Sequence, residues 1–363
     1  MKLLREEMRK MYTWDMLQTV FVYLGFQKNY KVLSECIQDK EIMDLGKHTL
    51  EEVSRALQKE FNFSQEEMDI WNKAVIKNNT LPLLEDELKI LARDPISILK
   101  RDGSLIGAAI LCIDNGMMPY YLTKSIANAF IFFNPEDEAC IQIKDYLSTH
   151  DIKDTIKYFC QLDKEVELIQ LIAEHYKNGI EDHGITEDYQ RVETIKEAYE
   201  LGFYYELTIK GCAQCTLAAL FDVTGNTNDM LFQAAGGLSG GMALSGDGSC
   251  GGYTGGIMLM GSYIGRRLEK IPIDGDKEAK YKSYEMAQKL HDRFIETYGG
   301  VACKEIHKEI FGRSYCIRNK EENKAFELAG AHTTKCTTVV ATASAWVAEI
   351  LWEEQLITPK ENK

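Results

Sequence analysis

Apolar residues recur every three to four positions through most of this 363-residue chain, the spacing of helices that bury one face. Residues 14–26 (WDMLQTVFVYLGF) keep that spacing and end near a glycine. Residues 49–60 open with T-L-E-E, a capping-box-like start, and set Leu50, Val53, Leu57 and Phe61 on one face. S-Q-E-E repeats the signal for a helix over 64–77, and Asp94-Pro95 marks a break followed by a helix start. Residues 144–161, 165–177 and 189–205 continue in helical register, and 253–264 and 337–351 predict apolar helices. Alternating β-branched runs bounded by turn residues do not recur, nor does a strand–helix–strand alternation. The pattern predicts an all-α protein of two helical domains, 1–180 and 181–363, joined in the polar stretch 177–188 (KNGIEDHGITED). The second domain contains a Gly-rich, Cys-bearing loop.

Composition narrows the function. A net charge of −14 argues against nucleic acid or an anionic membrane as partner, since both need basic surface. The N-terminus, MKLLREEMRKMYTWDM, is charged throughout and does not read as a secretory signal. No run reaches the length of a membrane span, and TTVVATASAWVAEIL (337–351) reads as a buried helix. A cytoplasmic location is the expectation. There, 10 cysteines would stay mostly reduced and would not form a disulfide scaffold.

The cysteines fall into two sets. Cys36, Cys112, Cys140 and Cys160 stand singly among apolar neighbours and read as small buried hydrophobes. Cys212, Cys215, Cys250, Cys303, Cys316 and Cys336 all lie beyond the linker. Residues 246–251 (GDGSCG) spell G-x-G-x-x-G, but GGLSGGMALS before them is no hydrophobic strand. A dinucleotide fingerprint requires that strand. The expectation is therefore no NAD site of the chain's own, and a flexible loop that sets Cys250 at a helix start. There the helix dipole would lower its pKa. Cys212 and Cys215 make a C-x-x-C at another helix start, suited to metal or to an exchanging dithiol. His332, one turn before Cys336, is a candidate ligand or donor to a thiolate; His291 and His307 sit on charged helices and read as solvated. Arg313 and Arg318 flank Cys316 and read as exposed salt-bridging residues.

Two resemblances follow from particular segments. YLGFQKNYKVLSECIQDKEI (23–42), LEEVSRALQKEFNFSQEE (50–67), LPLLEDELKILARDPISILKRDGSLIGAAIL (81–111) and NAFIFFNPEDEACIQIKDYL (128–147) resemble the C-terminal helical domain of the mannitol-1-phosphate 5-dehydrogenase family. That resemblance implies a catalytic Lys at Lys10. The family's Asn and His partners would fall on Asp15 and Gln18, and Asp15 would hold the Lys10 ammonium in its charged form. The family's nucleotide-binding domain would precede this segment, which makes a separate nucleotide-binding subunit and a sugar or polyol phosphate candidate partners. A retained scaffold or homodimerisation surface is the plainer expectation.

GCAQCTLAALFD (211–222), GSCGGYTGG (248–256), FIETYGGVACKEI (294–306) and AHTTKCTTVVATASAWVAEIL (331–351) resemble a redox-active family named for four cysteines and a C-G-A-x-x-G motif. Gly252 stands where that motif has Ala. The resemblance implies metal ligands at Cys212, Cys250, Cys303 and Cys336, with Cys215 and Cys316 auxiliary. It implies catalytic thiols at Cys212, Cys215 and Cys250, with Gly248 and Gly251 against a cofactor. An iron–sulfur cluster and a thiol–disulfide relay both fit these residues, each calling for a redox partner protein. As an enzyme the chain would be an oxidoreductase, though not a self-sufficient NAD-dependent dehydrogenase.

Overall fold

A computed structural model describes residues 2–80, 87–181, 189–273 and 275–357. The chain divides into two compact units, Met1–Thr186 and Glu187–Lys363. Among the described residues there is no sheet, only the isolated bridges Val32↔Glu87 and Ser249↔Ala302. Part of the expected linker, residues 182–188, lies outside the described residues. Among the described residues no helix is long and apolar enough to cross a membrane.

The first unit is built around α1 (Met16–Gln27), α2 (Lys40–Phe61), α3 (Tyr120–Ile131) and α4 (Val166–Glu181). One buried polar group shapes this core. Glu52 of α2 is 2% exposed and accepts hydrogen bonds from the backbone N–H groups of Tyr121 and Leu122, each at 3.2 Å. Its carboxylate therefore caps α3 from a neighbouring helix, satisfying donors that a helix start leaves open. Cys36, Cys112, Cys140 and Cys160 are all buried, and burial pushes the Cys36 thiol up to about 12 and the Cys140 thiol up to about 11. They are core residues.

Two sequence expectations shift here. The helix expected from residue 49 begins at Lys40, where the Asp39 side chain accepts from the Glu41 and Ile42 amides. Thr49 lies mid-helix, and its hydroxyl donates back to the Leu45 carbonyl. The register expected to continue through 144–161 breaks between Glu138–Leu147 and Ile152–Cys160. Asp151 caps the second piece by accepting from the Asp154 amide, so a new helix start outcompetes continuation.

In the second unit α5 (Tyr189–Thr208), α6 (Cys212–Thr224), α7 (Gly251–Ile264), α8 (Lys277–Tyr298), α9 (Cys303–Phe311) and α10 (Cys336–Glu353) form the frame. Helix α10 is buried nearly all round, as expected for a helix rich in Ala, Val and Thr with few charges. Close crossings bring the frame together. A Cβ at Gly202 would lie 3.0 Å from the Ala341 Cα, and one at Gly255 would lie 2.6 Å from the Ala213 carbonyl oxygen. On the outer side, Arg191 and Arg293 both donate to Glu349, tying α5 and α8 to α10.

Candidate functional site

Four helix ends deliver the cysteines. Cys212 is the first residue of α6, following Gly211 at φ +102°. Cys250 is the N-cap of α7, which begins at Gly251, two residues earlier than the sequence pattern placed it. Cys303 opens α9. Cys336 opens α10 after a π turn, Ala331–Lys335, a local widening that often accompanies functional sites.

The glycine-rich stretch holds two of them together. Its Ser249 bridges to Ala302. The Cys250 amide donates to the Val301 carbonyl at 2.8 Å, and the Cys303 amide donates to the Gly248 carbonyl at 2.9 Å. Gly251 lies against Cys212, because a Cβ there would sit 2.2 Å from its Sγ. Residues 240–244 run through five successive left-handed conformations, with φ of +62°, +69°, +63°, +49° and +60°. For Met242, Ala243 and Leu244 that costs roughly 1–2 kcal/mol each. The turn sets Gly241 against the Cys303 Cβ, where an added Cβ would come within 2.7 Å.

Cys212, Cys250, Cys303 and Cys336 line a single cavity of about 260 Å³, together with Glu206 and His307. That volume exceeds several times the roughly 30 Å³ share of one water. Among the described residues no group of three His, Cys, Asp or Glu side chains is placed to hold a single metal ion. Cys215 is buried one turn along α6, beside Glu206, and does not line the cavity. Cys316 is exposed and also lies outside it. Arg313 pairs with Glu322, and Arg318 donates to the Ala243 carbonyl at 2.9 Å, fastening the left-handed turn.

The electrostatics correct the expectation of an activated thiol. Burial pushes Cys212 up to about 11 and Cys303 up to about 12, and raises Cys250 and Cys336 well above the ordinary thiol value. The backbone amides of Gly240 in the left-handed turn and of Gly251 at the start of α7, both at Cys212, and of Gly252 and Tyr253 at Cys250, work in the opposite direction without prevailing. Desolvation outweighs the dipole because Cys250 and Cys303 are buried and Cys212 and Cys336 only partly exposed. The same amides are donors that only a deprotonated, ligated sulfur would fully use.

His307 also departs from its expected solvation. It is 2% exposed, its Nε2 lies 3.4 Å from Cys303 Sγ, and burial lowers its pKa to about 4. The alternating charges of α9 concealed it, although its position four residues after Cys303 places it on the cysteine's face. His332 is engaged by acids: Nδ1 lies 2.8 Å from Glu327, and Nε2 lies 3.6 Å from Glu206. His291 is half-buried, with Nδ1 3.3 Å from the Tyr253 hydroxyl.

Glu206, 2% exposed, has its pKa raised to about 8 by burial, which Cys215 and Lys210 only partly offset. Its folded form thus holds a proton more tightly than the unfolded chain does. The resulting stability is complete below about 4.5 and is lost as pH rises through about 8. In metal-free, reduced protein the urea midpoint of the second unit should fall across that window, and Glu206→Gln should flatten the decline. An unchanged slope in the variant would assign the effect to other groups.

In the first unit, Lys10 ends the helix Lys2–Lys10 and is exposed. A π turn, Met11–Asp15, follows it. Partial desolvation raises the Asp15 carboxyl and Lys10 pulls it back. Gln18 is half-buried.

Residues 5–200 match the family model described as "Mannitol dehydrogenase C-terminal domain", and residues 211–350 match the one described as "Putative redox-active protein (C_GCAxxG_C_C)". Mannitol-1-phosphate 5-dehydrogenase of Caldanaerobacter subterraneus subsp. tengcongensis is 27% identical over 168 residues, covering 46% of this chain and 44% of the relative. The enzyme of that name from Thermoanaerobacter pseudethanolicus is 30% identical over 169 residues, covering 47% and 44%. That from Bacillus licheniformis is 27% identical over 169 residues, covering 47% and 45%. The chain thus spans less than half the length of these relatives.

Proposed function

The chain belongs to the mannitol dehydrogenase C-terminal domain family and carries a redox-active family domain over 211–350; from that premise we propose that its second unit is an electron-transfer module. Cys212, Cys250, Cys303 and Cys336 would hold an iron–sulfur cluster. The observation that carries this reading is the lining of one cavity by four cysteines from four helices. Four thiolates are the usual complement of such a cluster, which supplies one-electron chemistry when bound.

The donor set fits. One zinc ion needs its sulfurs about 2.3 Å from a common point, and no three candidate ligands among the described residues are so placed. A cluster would spread its four thiolates over more than one iron, so the sulfurs need only surround a shared space. Metal binding must expel the thiol protons, and the backbone amides around Cys212 and Cys250 are positioned to receive the resulting sulfur charge. Helix starts at α6, α7 and α9 add positive potential where that charge gathers. A thiol–disulfide relay instead needs a thiolate near neutral pH, and burial holds all four thiols above it.

Anaerobically prepared protein should therefore be coloured, bleach on addition of dithionite and recover on reoxidation. Colourless protein that forms an intramolecular disulfide among these cysteines would replace this reading with the dithiol one. Lys10 stays outside the proposal because it is exposed and accompanied by Asp15.

A further inference from the structure

Among the polar side chains that line the cavity, His307 is the one in contact with a cysteine sulfur that the ligand set leaves unexplained. His307 lies on α9 one turn beyond Cys303 and is 2% exposed. Its ring is enclosed by Phe326 at 4.8 Å, Phe311 at 5.5 Å and Tyr315 at 6.2 Å between centroids. Nε2 faces Cys303 Sγ at 3.4 Å, and Nδ1 is buried without a hydrogen-bond partner. A buried imidazole costs stability unless its polar atoms are used. In this aromatic setting a phenylalanine would pack without that cost. What the imidazole adds is the contact with sulfur.

We propose that His307 tunes the reduction potential of the cysteine centre by donating its Nε2 proton to Cys303 Sγ. The inference rests on reading the cavity as an iron–sulfur site. A ligated Cys303 carries no proton and can only accept, so the proton between the two atoms belongs to Nε2. Nδ1, which faces no acceptor, is the nitrogen that goes without one. Hydrogen bonds to cluster sulfurs raise the reduction potential, because the added electron increases the negative charge that the donor meets. The rest of the ring is fixed by packing, so the donor is held in place before reduction. His307 touches a ligand rather than a reacting atom, which makes it a positioning residue.

The test uses the full chain prepared anaerobically, with iron and sulfide measured first and the reduction potential then read by EPR at poised potentials with dithionite as the electron donor. One electron passes from dithionite to the cluster, and the Nε2 proton stays where it is. His307→Phe keeps the bulk and removes the donor. Its reduced-to-oxidised ratio at a given potential should fall about tenfold, a shift of about 59 mV to lower potential for one electron, with iron content unchanged. His307→Gln, whose amide can donate, should recover part of the shift. In the wild type, an exchangeable proton coupled to the reduced centre should disappear in His307→Phe. An unchanged potential in iron-replete His307→Phe overturns the proposal. Loss of iron from both variants also overturns it, since His307 would then hold the site together. Wild-type protein lacking iron and sulfide defeats the cluster reading itself, a failure separate from the other two.

Discussion

Gly251→Ala should destabilise the second unit by about 3 kcal/mol, the upper range for overpacking a tight interior. For a unit of this size that corresponds to a fall of about 6–12 °C in Tm. The added methyl would lie 2.2 Å from Cys212 Sγ and 2.5 Å from the Ala213 amide nitrogen. The second neighbour is backbone, so α6 and α7 must separate to admit it. That movement displaces Cys212 from Cys250, so the variant should lose bound iron as well as stability. Gly261→Ala on the same helix is the control. A Cβ there meets nothing within 4 Å, so exchanging a helical Gly for Ala should stabilise by up to about 1 kcal/mol. Thermal unfolding followed by circular dichroism separates the two. Equal effects would refute the view that Gly251 is required for close approach at the sulfurs.

Stripping iron from the protein should produce the second large effect. Four helices meet at the cavity through cysteines, and metal binding to a preformed site contributes directly to folding stability. A contribution of about 3–5 kcal/mol would lower the Tm of this unit by about 10 °C. Hydrogen exchange gives the local reading. Amides of α6, α7, α9 and α10 should lose protection on chelation, while those of α1 and α2 in the first unit keep theirs. Equal protection in the two forms would mean that the cysteines stand where they do for packing alone.

Helix content could be read from the sequence because the apolar spacing is regular and cap residues such as Ser64 act locally; Ser64 forms its capping box with Glu67 as the pattern suggests. Asp39 was missed as the start of α2 because the apolar spacing becomes regular only later in that helix. The four cavity cysteines were recognisable through their family-like segments. Their convergence depends on contacts between residues some 50 positions apart, such as the Ser249↔Ala302 bridge, and these leave no periodic trace. The left-handed run at 240–244 has no signal in its second half, since Met, Ala and Leu ordinarily avoid that backbone. It forms because Gly240 and Gly241 start the turn and Arg318 fastens the Ala243 carbonyl. His307 was hidden by its charged neighbours on α9. The expected pKa of Cys250 had the wrong sign because a helix start is visible in a sequence and the depth of burial is not.

The G-x-G-x-x-G of residues 246–251 follows a turn, not a strand, and leads into α7. Gly246 accepts the Lys304 amide through its carbonyl, Gly248 accepts the Cys303 amide, and Gly251 leaves room for Cys212. Its glycines bring three of the four cysteines together.

The most direct measurement is iron and acid-labile sulfide per chain in anaerobically prepared wild type, Cys250→Ser and Cys140→Ser. The expected result is iron and sulfide in near-equal amounts in wild type and in Cys140→Ser, whose substituted position is a core thiol of the first unit. Cys250→Ser should lose most of both, given that even residues supporting a ligand are worth about 10–100-fold in metal affinity. Wild-type protein free of iron and sulfide, with its cavity thiols all open to slow alkylation on unfolding, would contradict the account.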